Sequence, residues 1–317
     1  MRAWVRKRYG SIEQLRLEDV AAPVPGPGEV LVQLVAASIN LSDWESLHGS
    51  PGYARLGGLR RILGSDVAGR VAAVGPGVTR FGVGDEVYGD SMPRFAAFAE
   101  FIVMPESELA AKPAGLSFAV ASTIPQAGAI AREAVALVQP GTRMLINGAG
   151  GGSGSLLIQL ALAAGAHVTA VDNAGKLDFL RRLGAHEVID YRADDPYRTG
   201  PYDLIVDMVA HRSVFTYRRA LARGGRFVMV GGTLRALFRM VTIGPLVGAL
   251  TGRKLGLLIV HTGPTHFAEL GDRVAAGEIE MHIDREFPFE ELPAALTVHG
   301  EGRALGKVVV RVRDDRR

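Results

Sequence analysis

The chain has 317 residues, of which 48% are hydrophobic, and carries a formal charge of +3 at pH 7. That length suits two domains of ordinary size, and the apolar content is ample for buried cores. Its 36 basic side chains do not form long blocks, which argues against nucleic acid as a partner. The absence of cysteine excludes disulfides, thiolate zinc ligands and a cysteine nucleophile.

We expect neither a targeting segment nor a membrane-spanning segment. The N-terminal residues MRAWVRKRYGS lack the apolar core of a signal peptide. The most apolar stretch, residues 236–259, is interrupted by arginines, a lysine and a proline, and it falls short of a transmembrane helix. We therefore expect a cytoplasmic protein without a membrane partner.

The first 116 residues predict short strands separated by glycine and proline turns. Apolar or alternating runs indicate strands over residues 3–9, 30–35, 66–74, 86–88 and 98–103. No helical pattern recurs among them, so we expect a β-barrel or a distorted sheet. Residues 264–317, with a helix over 290–299 and a strand over 307–312, are expected to return to this domain.

From residue 117 to 263, helical patterns alternate with apolar strands. A helix over 117–138 leads into the alternation, and further helices are predicted over 176–183 and 213–221. Strands are predicted over 144–146, 167–172, 187–189, 203–207 and 225–231. This alternation predicts a parallel sheet with right-handed crossovers, which is a doubly wound domain. Ligands of such sheets bind at the carboxyl ends of the strands.

The stretch RMLINGAGGGSGSLLIQLA, residues 143–161, carries the main functional signal. A buried strand is followed by five glycines within residues 148–154 and then by a helical pattern. A turn without side chains at a helix N-terminus can bind a pyrophosphate, because the backbone approaches closely and free N–H groups favour the charge. The spacing fits G-x-x-G-x-x-G, or the dinucleotide fingerprint with alanine at the first position, and a structural βα turn is the alternative. The predicted phosphate loop comprises Asn147, Gly148, Ala149, Gly151, Gly152, Ser153 and Gly154.

Asp172 ends the next predicted strand, about 20 residues past the glycines, where a ribose-binding carboxylate is expected. Such a carboxylate accepts hydrogen bonds from two ribose hydroxyls and repels a 2′-phosphate, which favours NADH. The alternative role of Asp172 is that of a helix N-cap.

The order of these pieces resembles the medium-chain dehydrogenase/reductase superfamily, in its zinc-free quinone oxidoreductase-like branch, the zeta-crystallin relatives. The resemblance rests on PGPGEVLVQLVAASIN (25–40), GSDVAGRVAAVGPGVTRFGVGDEVYG (64–89), the NGAGGGSG loop, RRLGAHEVIDY (181–191), YDLIVD (202–207) and GKVVV (306–310). It implies an α/β protein with a GroES-like β-barrel catalytic domain over residues 1–116 and 264–317. The remaining residues, 117–263, are then a Rossmann domain, with the nicotinamide in the cleft between the two domains.

The resemblance also implies where zinc would bind. Zinc-dependent members place a cysteine where this chain has Asn40, and a histidine–glutamate pair where it has Ser65 and Asp66. That three-ligand site cannot form without cysteine, and the eight histidines show no metal-binding spacing. We therefore expect no zinc or other metal, which favours hydride delivery to quinones and activated double bonds over alcohol oxidation.

The resemblance supplies further candidates, each with a structural alternative. Asn40 is expected to hydrogen-bond a substrate carbonyl, Asp43 lies on the same predicted loop, and Tyr53 can donate a proton. Turn stabilisation and packing are the alternatives. Lys176 stands where relatives that use NADPH place a phosphate-binding lysine, so NADH is only slightly favoured over NADPH. The other cofactor candidates are Tyr191, Met208, Val209, Gly231, Gly232, Thr233 and Lys307.

Residues 234–258 are unusually apolar, with arginines interspersed. A lid over an apolar substrate and a membrane-surface helix are alternatives. We favour a core helix followed by an edge strand over 255–261, which in relatives pairs across a homodimer.

These features predict a zinc-independent, NAD(P)H-dependent reductase of quinones or enone-type double bonds, with a small, apolar, electron-poor substrate. One alternative is a zinc-less dehydrogenase acting on the hydroxyl or ketone of a specialised metabolite. The other is a nucleotide-binding sensor or structural protein without turnover.

Overall fold

The computed structural model describes residues 1–56, 58–92 and 94–314, and the chain divides into two compact units. Unit 1 comprises Met1–Ala129 and Thr262–Arg317, and unit 2 comprises Ile130–His261. The first boundary therefore follows Ala129, whereas the sequence predicted it near residue 116. The difference arises because the helix Phe118–Thr123 packs on strands of unit 1.

Within the described residues, the strands are, in chain order, β1 (Arg2–Arg6), β2 (Leu15–Asp19), β3 (Glu29–Ser38), β4 (Asp66–Val74), β5 (Glu86–Asp90), β6 (Phe101–Pro105), β7 (Leu109–Ala111), β8 (Arg143–Asn147), β9 (His167–Asp172), β10 (Glu187–Asp190), β11 (Tyr202–Asp207), β12 (Leu221–Met229), β13 (Lys254–Leu257), β14 (Ile283–Pro288) and β15 (Lys307–Arg311). The α-helices of the same residues are α1 (Leu41–His48), α2 (Phe118–Thr123), α3 (Pro125–Val135), α4 (Gly152–Ala163), α5 (Leu177–Arg182), α6 (Val214–Ala220), α7 (Leu234–Thr242), α8 (Gly244–Thr251), α9 (Ala268–Ala275) and α10 (Leu292–Gly300).

Unit 1 is built on a sheet with the strand order β14-β15-β3-β4-β5-β7, and β6 also pairs with β3. All of these pairs are antiparallel except β14–β15, and β1 and β2 form a separate antiparallel ribbon. The apolar side chains of β3 and β4 pack with Leu292 and Leu296 of α10, all fully buried. The C-terminal strands and α10 therefore belong to the same sheet and core as β3 and β4.

Unit 2 contains a six-stranded parallel sheet with the order β10-β9-β8-β11-β12-β13. Right-handed crossovers place α4 and α5 on one face and α6, α7 and α8 on the other. On the second face, the rings of Tyr217 and Phe227 stack 3.9 Å apart in the core. The predicted α/β class and doubly wound sheet are confirmed, and the carboxyl ends of the strands share one edge.

Three predicted elements differ from the structure. The predicted helix over 117–138 is two helices, because Pro125 lacks the N–H that would continue α2 and instead begins α3. The loop predicted to carry Asn40 and Asp43 is in fact the start of α1, an eight-residue helix too short to show a periodic pattern. The predicted edge strand over 255–261 is the four-residue β13.

The apolar segment after β12 forms the bent pair α7–α8. A narrow stripe with Ala236, Met240 and Val247 is buried in the core of unit 2, while the outer face is exposed. The expectation of a core helix is therefore only half right. No single helix in the described part of the chain is long and apolar enough to cross a membrane; α7 and α8 meet that criterion only as a pair, across a 48° bend.

Candidate functional site

The predicted phosphate loop joins β8 to α4 in unit 2. After Asn147, Gly148 turns the chain with a φ of +82°, a conformation that glycine adopts without strain. The N–H groups of Gly148 and Ala149 each donate to Val171 O at 3.0 Å, which ties the loop to β9. Because α4 begins at Gly152, the first N–H groups of that helix have no intrahelical acceptors.

Two glycines of this loop have no room for a side chain. A Cβ on Gly154 would lie 2.5 Å from Gly148 O, so glycine allows α4 to pack against the end of β8. A Cβ on Gly150 would lie 2.5 Å from Lys176 Cδ. At Gly151, in contrast, the nearest atom would be Gly148 O at 3.6 Å, an ordinary contact. Residues 148–154 thus form a backbone cradle of the kind that a pyrophosphate requires.

Asp172 supports this cradle from the end of β9. Its Oδ2 accepts the N–H of Gly150 at 2.9 Å, and its Oδ1 accepts the backbone and side-chain amides of Asn173 at 2.9 and 3.1 Å. The residue that caps the next turn is Asn173, whose Oδ1 accepts from Gly175 N at 3.1 Å. The alternative of Asp172 as the N-cap is therefore wrong, and its role toward a ribose stays a prediction.

Lys176 and Tyr191 lie beside Asp172. The Lys176 side chain is 8% exposed, and its Nζ is 3.6 Å from Asp172 Oδ1. Tyr191 follows β10, its side chain is largely open to solvent, and its N–H donates to Asp172 O at 3.2 Å. The structure therefore brings these three predicted cofactor residues together.

A buried hydrogen-bond network joins the ends of β8 and β11. Asp207 Oδ1 accepts from Asn147 Nδ2 at 2.8 Å and from Val209 N at 3.0 Å. Its Oδ2 accepts from the Tyr197 hydroxyl at 2.5 Å. Burial raises the pKa of Asp207, and burial beside that carboxyl raises the pKa of Tyr197. The network fixes the predicted pair Met208–Val209 next to the cradle, since Met208 N donates to Asn147 O at 3.0 Å.

The segment 231–233 reaches the same edge of the sheet from β12. Ala210 N donates to Gly231 O at 2.9 Å, and Thr233 N donates to Ala210 O at 3.0 Å. A Cβ on Gly232 would lie 2.1 Å from Ala210 O, so only glycine fits this approach. Thr233 Oγ1 accepts from Ala236 N at 3.2 Å and caps α7. All the predicted cofactor residues of unit 2 thus lie at the carboxyl ends of its strands.

Unit 1 contains a second constellation, which we name the polar cluster. Its members are Ser38, Asn40, Asp43, Ser65, Asp66, Asp90 and Lys307, all buried. Lys307 Nζ donates to Asn40 Oδ1 at 2.7 Å and to Asp66 Oδ2 at 3.3 Å, and the lysine is only 2% exposed. Lys307 was predicted to bind the cofactor; that role stays a prediction, although its ammonium already has two acceptors within unit 1.

Strand register assembles the polar cluster. Ser38 lies opposite Asp66 on the β3–β4 pair, and Asp66 lies opposite Asp90 on the β4–β5 pair. The pairing of β15 with β3 places Val309 opposite Ser38, so Lys307 begins β15 at the same end of the sheet. The sequence did not single out Asp90 or Ser38, because their proximity to Asp66 depends on pairing between strands.

The polar cluster holds three carboxyls near one ammonium. Burial, reinforced by the neighbouring charge of Asp66, raises the pKa values of Asp43 and Asp90 to about 7 each. Burial also raises the pKa of Asp66, although Lys307 opposes the shift. The carboxyls of Asp43 and Asp90 therefore titrate close to neutral pH.

The three predicted catalytic residues have different surroundings. Asn40 precedes α1, and its Nδ2 donates to Ser65 Oγ at 3.2 Å. Asp43 accepts from Asn40 N at 2.8 Å and Gly64 N at 3.1 Å, so its carboxylate holds the backbone that carries Asn40. The Tyr53 hydroxyl instead donates to Glu45 Oε1 at 3.4 Å. The structure unites Asn40 and Asp43, and places Tyr53 beside Glu45.

The chain is similar to known proteins along nearly its whole length. The model of the alcohol dehydrogenase GroES-like domain matches residues 26–114, and that of the zinc-binding dehydrogenase matches residues 183–310. The chain is 32% identical to 2-methylene-furan-3-one reductase of Solanum lycopersicum, covering 98% of this chain and 79% of the relative. It is 29% identical to the chloroplastic NADPH-dependent alkenal/one oxidoreductase of Arabidopsis thaliana, with the same coverage of 98% and 79%.

A solved structure shows the same architecture. The quinone oxidoreductase from Coxiella burnetii superposes with a TM-score of 0.91 at 28% sequence identity, over 99% of each chain.

Two glycine substitutions in the cradle should differ in their effects on thermal stability and on NADPH binding. Gly151→Ala should keep the thermal stability of the wild type, because its Cβ makes only an ordinary contact with Gly148 O, but weaken NADPH binding at least about tenfold by blocking close approach of a pyrophosphate. Gly154→Val should lose both thermal stability and NADPH binding, since the valine side chain would meet the Gly148 carbonyl. Differential scanning fluorimetry and fluorescence titration measure the two effects. Gly256→Ala, where a Cβ meets nothing within 4 Å, is the control, and unchanged NADPH affinity in Gly151→Ala would contradict the assignment.

The polar cluster predicts a pH-dependent stability. Because the folded-state pKa of Asp90 is about 7, its contribution to stability is complete below its ordinary pKa and is lost as pH rises through 7. Asp90→Asn should therefore be more stable than the wild type at pH 8, by roughly 1–3 kcal/mol, with the difference vanishing near about pH 4.

Urea unfolding of both proteins across this pH range measures the difference. The exposed substitution Asp194→Asn is the control. If the free energies of unfolding of the wild type and of Asp90→Asn changed in parallel with pH, Asp90 would not titrate in this way.

Proposed function

Because the chain belongs to the medium-chain dehydrogenase/reductase superfamily, in its quinone oxidoreductase-like branch, we propose that it reduces quinones or enone-type double bonds with NADH or NADPH. The relatives named above support this, since their names specify a furanone, alkenals or enones, and quinones as acceptors. The observation that carries the proposal is the backbone cradle at residues 148–154, which leads into α4 without a side chain in the way.

Unit 2 supplies cofactor binding in this proposal. A bound nicotinamide cofactor would deliver a hydride from its C4 to the acceptor. The N-terminus of α4 neutralises the pyrophosphate with free N–H groups and with the helix dipole. The Asp207 network keeps Met208 and Val209 in a fixed conformation beside the cradle.

Asn40 supplies a polarised donor for the substrate oxygen. Its amide group donates to Ser65 Oγ and also hydrogen-bonds the Asp66 carboxyl, so a carbonyl on which negative charge develops would take one of these hydrogens in exchange. Lys307 Nζ, 2.7 Å from Asn40 Oδ1, draws electron density from the amide and strengthens that donor. Tyr53 is the proposed proton source, with Glu45, whose pKa burial raises to about 7, returning the proton.

We also propose that the reaction needs no zinc. Of the three positions that correspond to ligands in zinc-dependent members, only Asp66 carries a common zinc ligand. Its Oδ2 and the Oδ1 of Asn40 already accept from the Lys307 ammonium. The Lys307 ammonium thus takes the place that a metal cation would have between these two side chains. The donor set therefore does not fit zinc, although one matching family model is named for zinc binding.

A slight preference for NADH follows from Asp172. This carboxylate is held in place by Gly150 and Asn173, and it would accept hydrogen bonds from ribose hydroxyls and repel a 2′-phosphate. It also compensates the charge of Lys176, 3.6 Å away, which weakens that lysine as a phosphate ligand.

A homodimer is part of the proposal. β13 is the last strand of the parallel sheet, and its outer edge pairs with none of the strands in the described residues. Two copies related by a two-fold axis can join these edges in antiparallel pairing.

The proposed activity is tested by NADH and NADPH oxidation with a panel of quinones and enones. We expect turnover that survives EDTA treatment, with substoichiometric zinc by elemental analysis. Asn40→Ala should lower kcat about a hundredfold without changing cofactor affinity, because it removes one donor to the oxyanion. The control is Ser42→Ala, one residue into the same helix. Cofactor binding without turnover of any acceptor would favour the sensor function instead.

The position of Lys176 predicts that this side chain affects the choice between NADPH and NADH. Lys176→Met should weaken NADPH binding about tenfold, the loss of one charge-assisted contact, and leave NADH within about twofold. Calorimetric titration with each nucleotide measures both affinities, and the exposed Arg181→Met on α5 is the control. Equal weakening of NADH and NADPH would assign Lys176 to the support of the loop instead.

A further inference from the structure

The α7–α8 pair turns its large apolar side chains outward. The inner stripe that packs into unit 2 combines the small residues Ala236, Gly244 and Gly248 with two larger ones, Met240 and Val247. The exposed fractions on the outer face are 50% for Leu234, 67% for Phe238, 56% for Val241, 61% for Leu246 and 78% for Leu250. A surface helix of a protein in water normally has the opposite arrangement, with its bulky apolar residues inward.

The exposed apolar side chains are concentrated here. Of 17 large apolar side chains exposed in the described residues, eight lie between residues 234 and 259. Helix α6 packs on both α7 and α8 and adds Phe215, which is 53% exposed. Exposed apolar side chains concentrated on neighbouring elements mark a surface that another body covers.

The charges of the segment that carries these side chains have one sign. From Met208 to Ala268 the chain has no aspartate or glutamate, yet it has eight arginines and one lysine. Outside this segment, acidic side chains outnumber basic ones. On α7, Arg235 and Arg239 follow each other at helical spacing beside the stripe of Leu234, Phe238 and Val241, and Arg219 on α6 is exposed. Long basic side chains can extend past such an apolar stripe to reach anionic headgroups.

These features favour lipid over a second copy of the chain. In a two-fold interface through this face, the arginines of one copy, Arg219, Arg235 and Arg239, would lie close to the same arginines of the other copy. These like charges would repel. Anionic headgroups instead attract the arginines while the acyl region accepts the apolar side chains. The buried inner stripe keeps both helices on the sheet, so they can lie along a bilayer surface but not cross it.

We propose that the outer face of α7–α8 docks on an anionic lipid surface, with Phe238, Leu246 and Leu250 inserted and Arg235 and Arg239 at the headgroups. This docking is independent of the proposed reductase activity. It is also compatible with pairing of β13 edges, because that interface lies in the plane of the sheet whereas α7 and α8 cover one of its faces.

Vesicle flotation of the full-length protein tests the docking. We expect binding to phosphatidylcholine vesicles that contain phosphatidylglycerol, weaker binding to phosphatidylcholine alone, and release by salt. The double variant Phe238→Ser/Leu246→Ser should bind at least about tenfold more weakly to both, and Arg235→Gln/Arg239→Gln should lose the preference for the anionic vesicles. The control Val24→Ser/Val83→Ser removes two exposed apolar side chains of unit 1 and should bind like the wild type.

A second measurement does not depend on how the serine variant folds. In Phe238→Trp, the emission of the introduced tryptophan should shift to shorter wavelength when anionic vesicles are added, since the indole leaves water. Two results overturn the proposal. One is a wild type that stays unbound at all vesicle concentrations, with no shift in Phe238→Trp. The other is a wild type whose sedimentation mass halves in Phe238→Ser/Leu246→Ser, which would make this face an interface between copies.

Discussion

The contact of the Lys307 ammonium with Asp66 and Asn40 is the interaction on which unit 1 depends. Three carboxyls, of Asp43, Asp66 and Asp90, are buried around it, and each would be costly to keep in an apolar interior without a counter-charge. Asp66 begins β4, Asp90 ends β5, Lys307 begins β15, and Asp43 lies in α1 shortly after β3, so this one cation lies where the ends of four strands meet. The same cation also orients and polarises Asn40.

The parts of the site that sequence predicts well are those in which local chemistry decides the structure. The strand, glycine turn and helix at residues 143–163 follow from periodicity and from the absence of side chains, and each neighbour in sequence is a neighbour in space. The ends of the parallel strands follow in the same way, because alternating strands and helices leave one arrangement of the crossovers. Asp172, Met208 and Gly231 therefore lie where the sequence placed them.

The parts that sequence predicts poorly are decided by contacts between distant segments. Asp172 has the residue type of a ribose ligand, yet its Oδ2 bonds Gly150, a contact that exists only once the loop has turned back on β9. Asp90 is one acid among 33 in the sequence, and only the β4–β5 register places it opposite Asp66. The outer face of α7–α8 has the composition of a core, and composition alone does not say which side of a helix meets the sheet.

The position of Lys307 after unit 2 in the sequence also bears on biosynthesis. Unit 2 is a continuous segment that a ribosome completes before it reaches residue 307, whereas unit 1 is interrupted and lacks β15 until that residue has been added. Until then Asp43, Asp66 and Asp90 lack the Lys307 ammonium, so they stay hydrated or protonated and that end of the sheet stays open. The nascent enzyme is therefore expected to carry a formed nucleotide-binding half beside an unfinished partner, which chaperones would meet in that state.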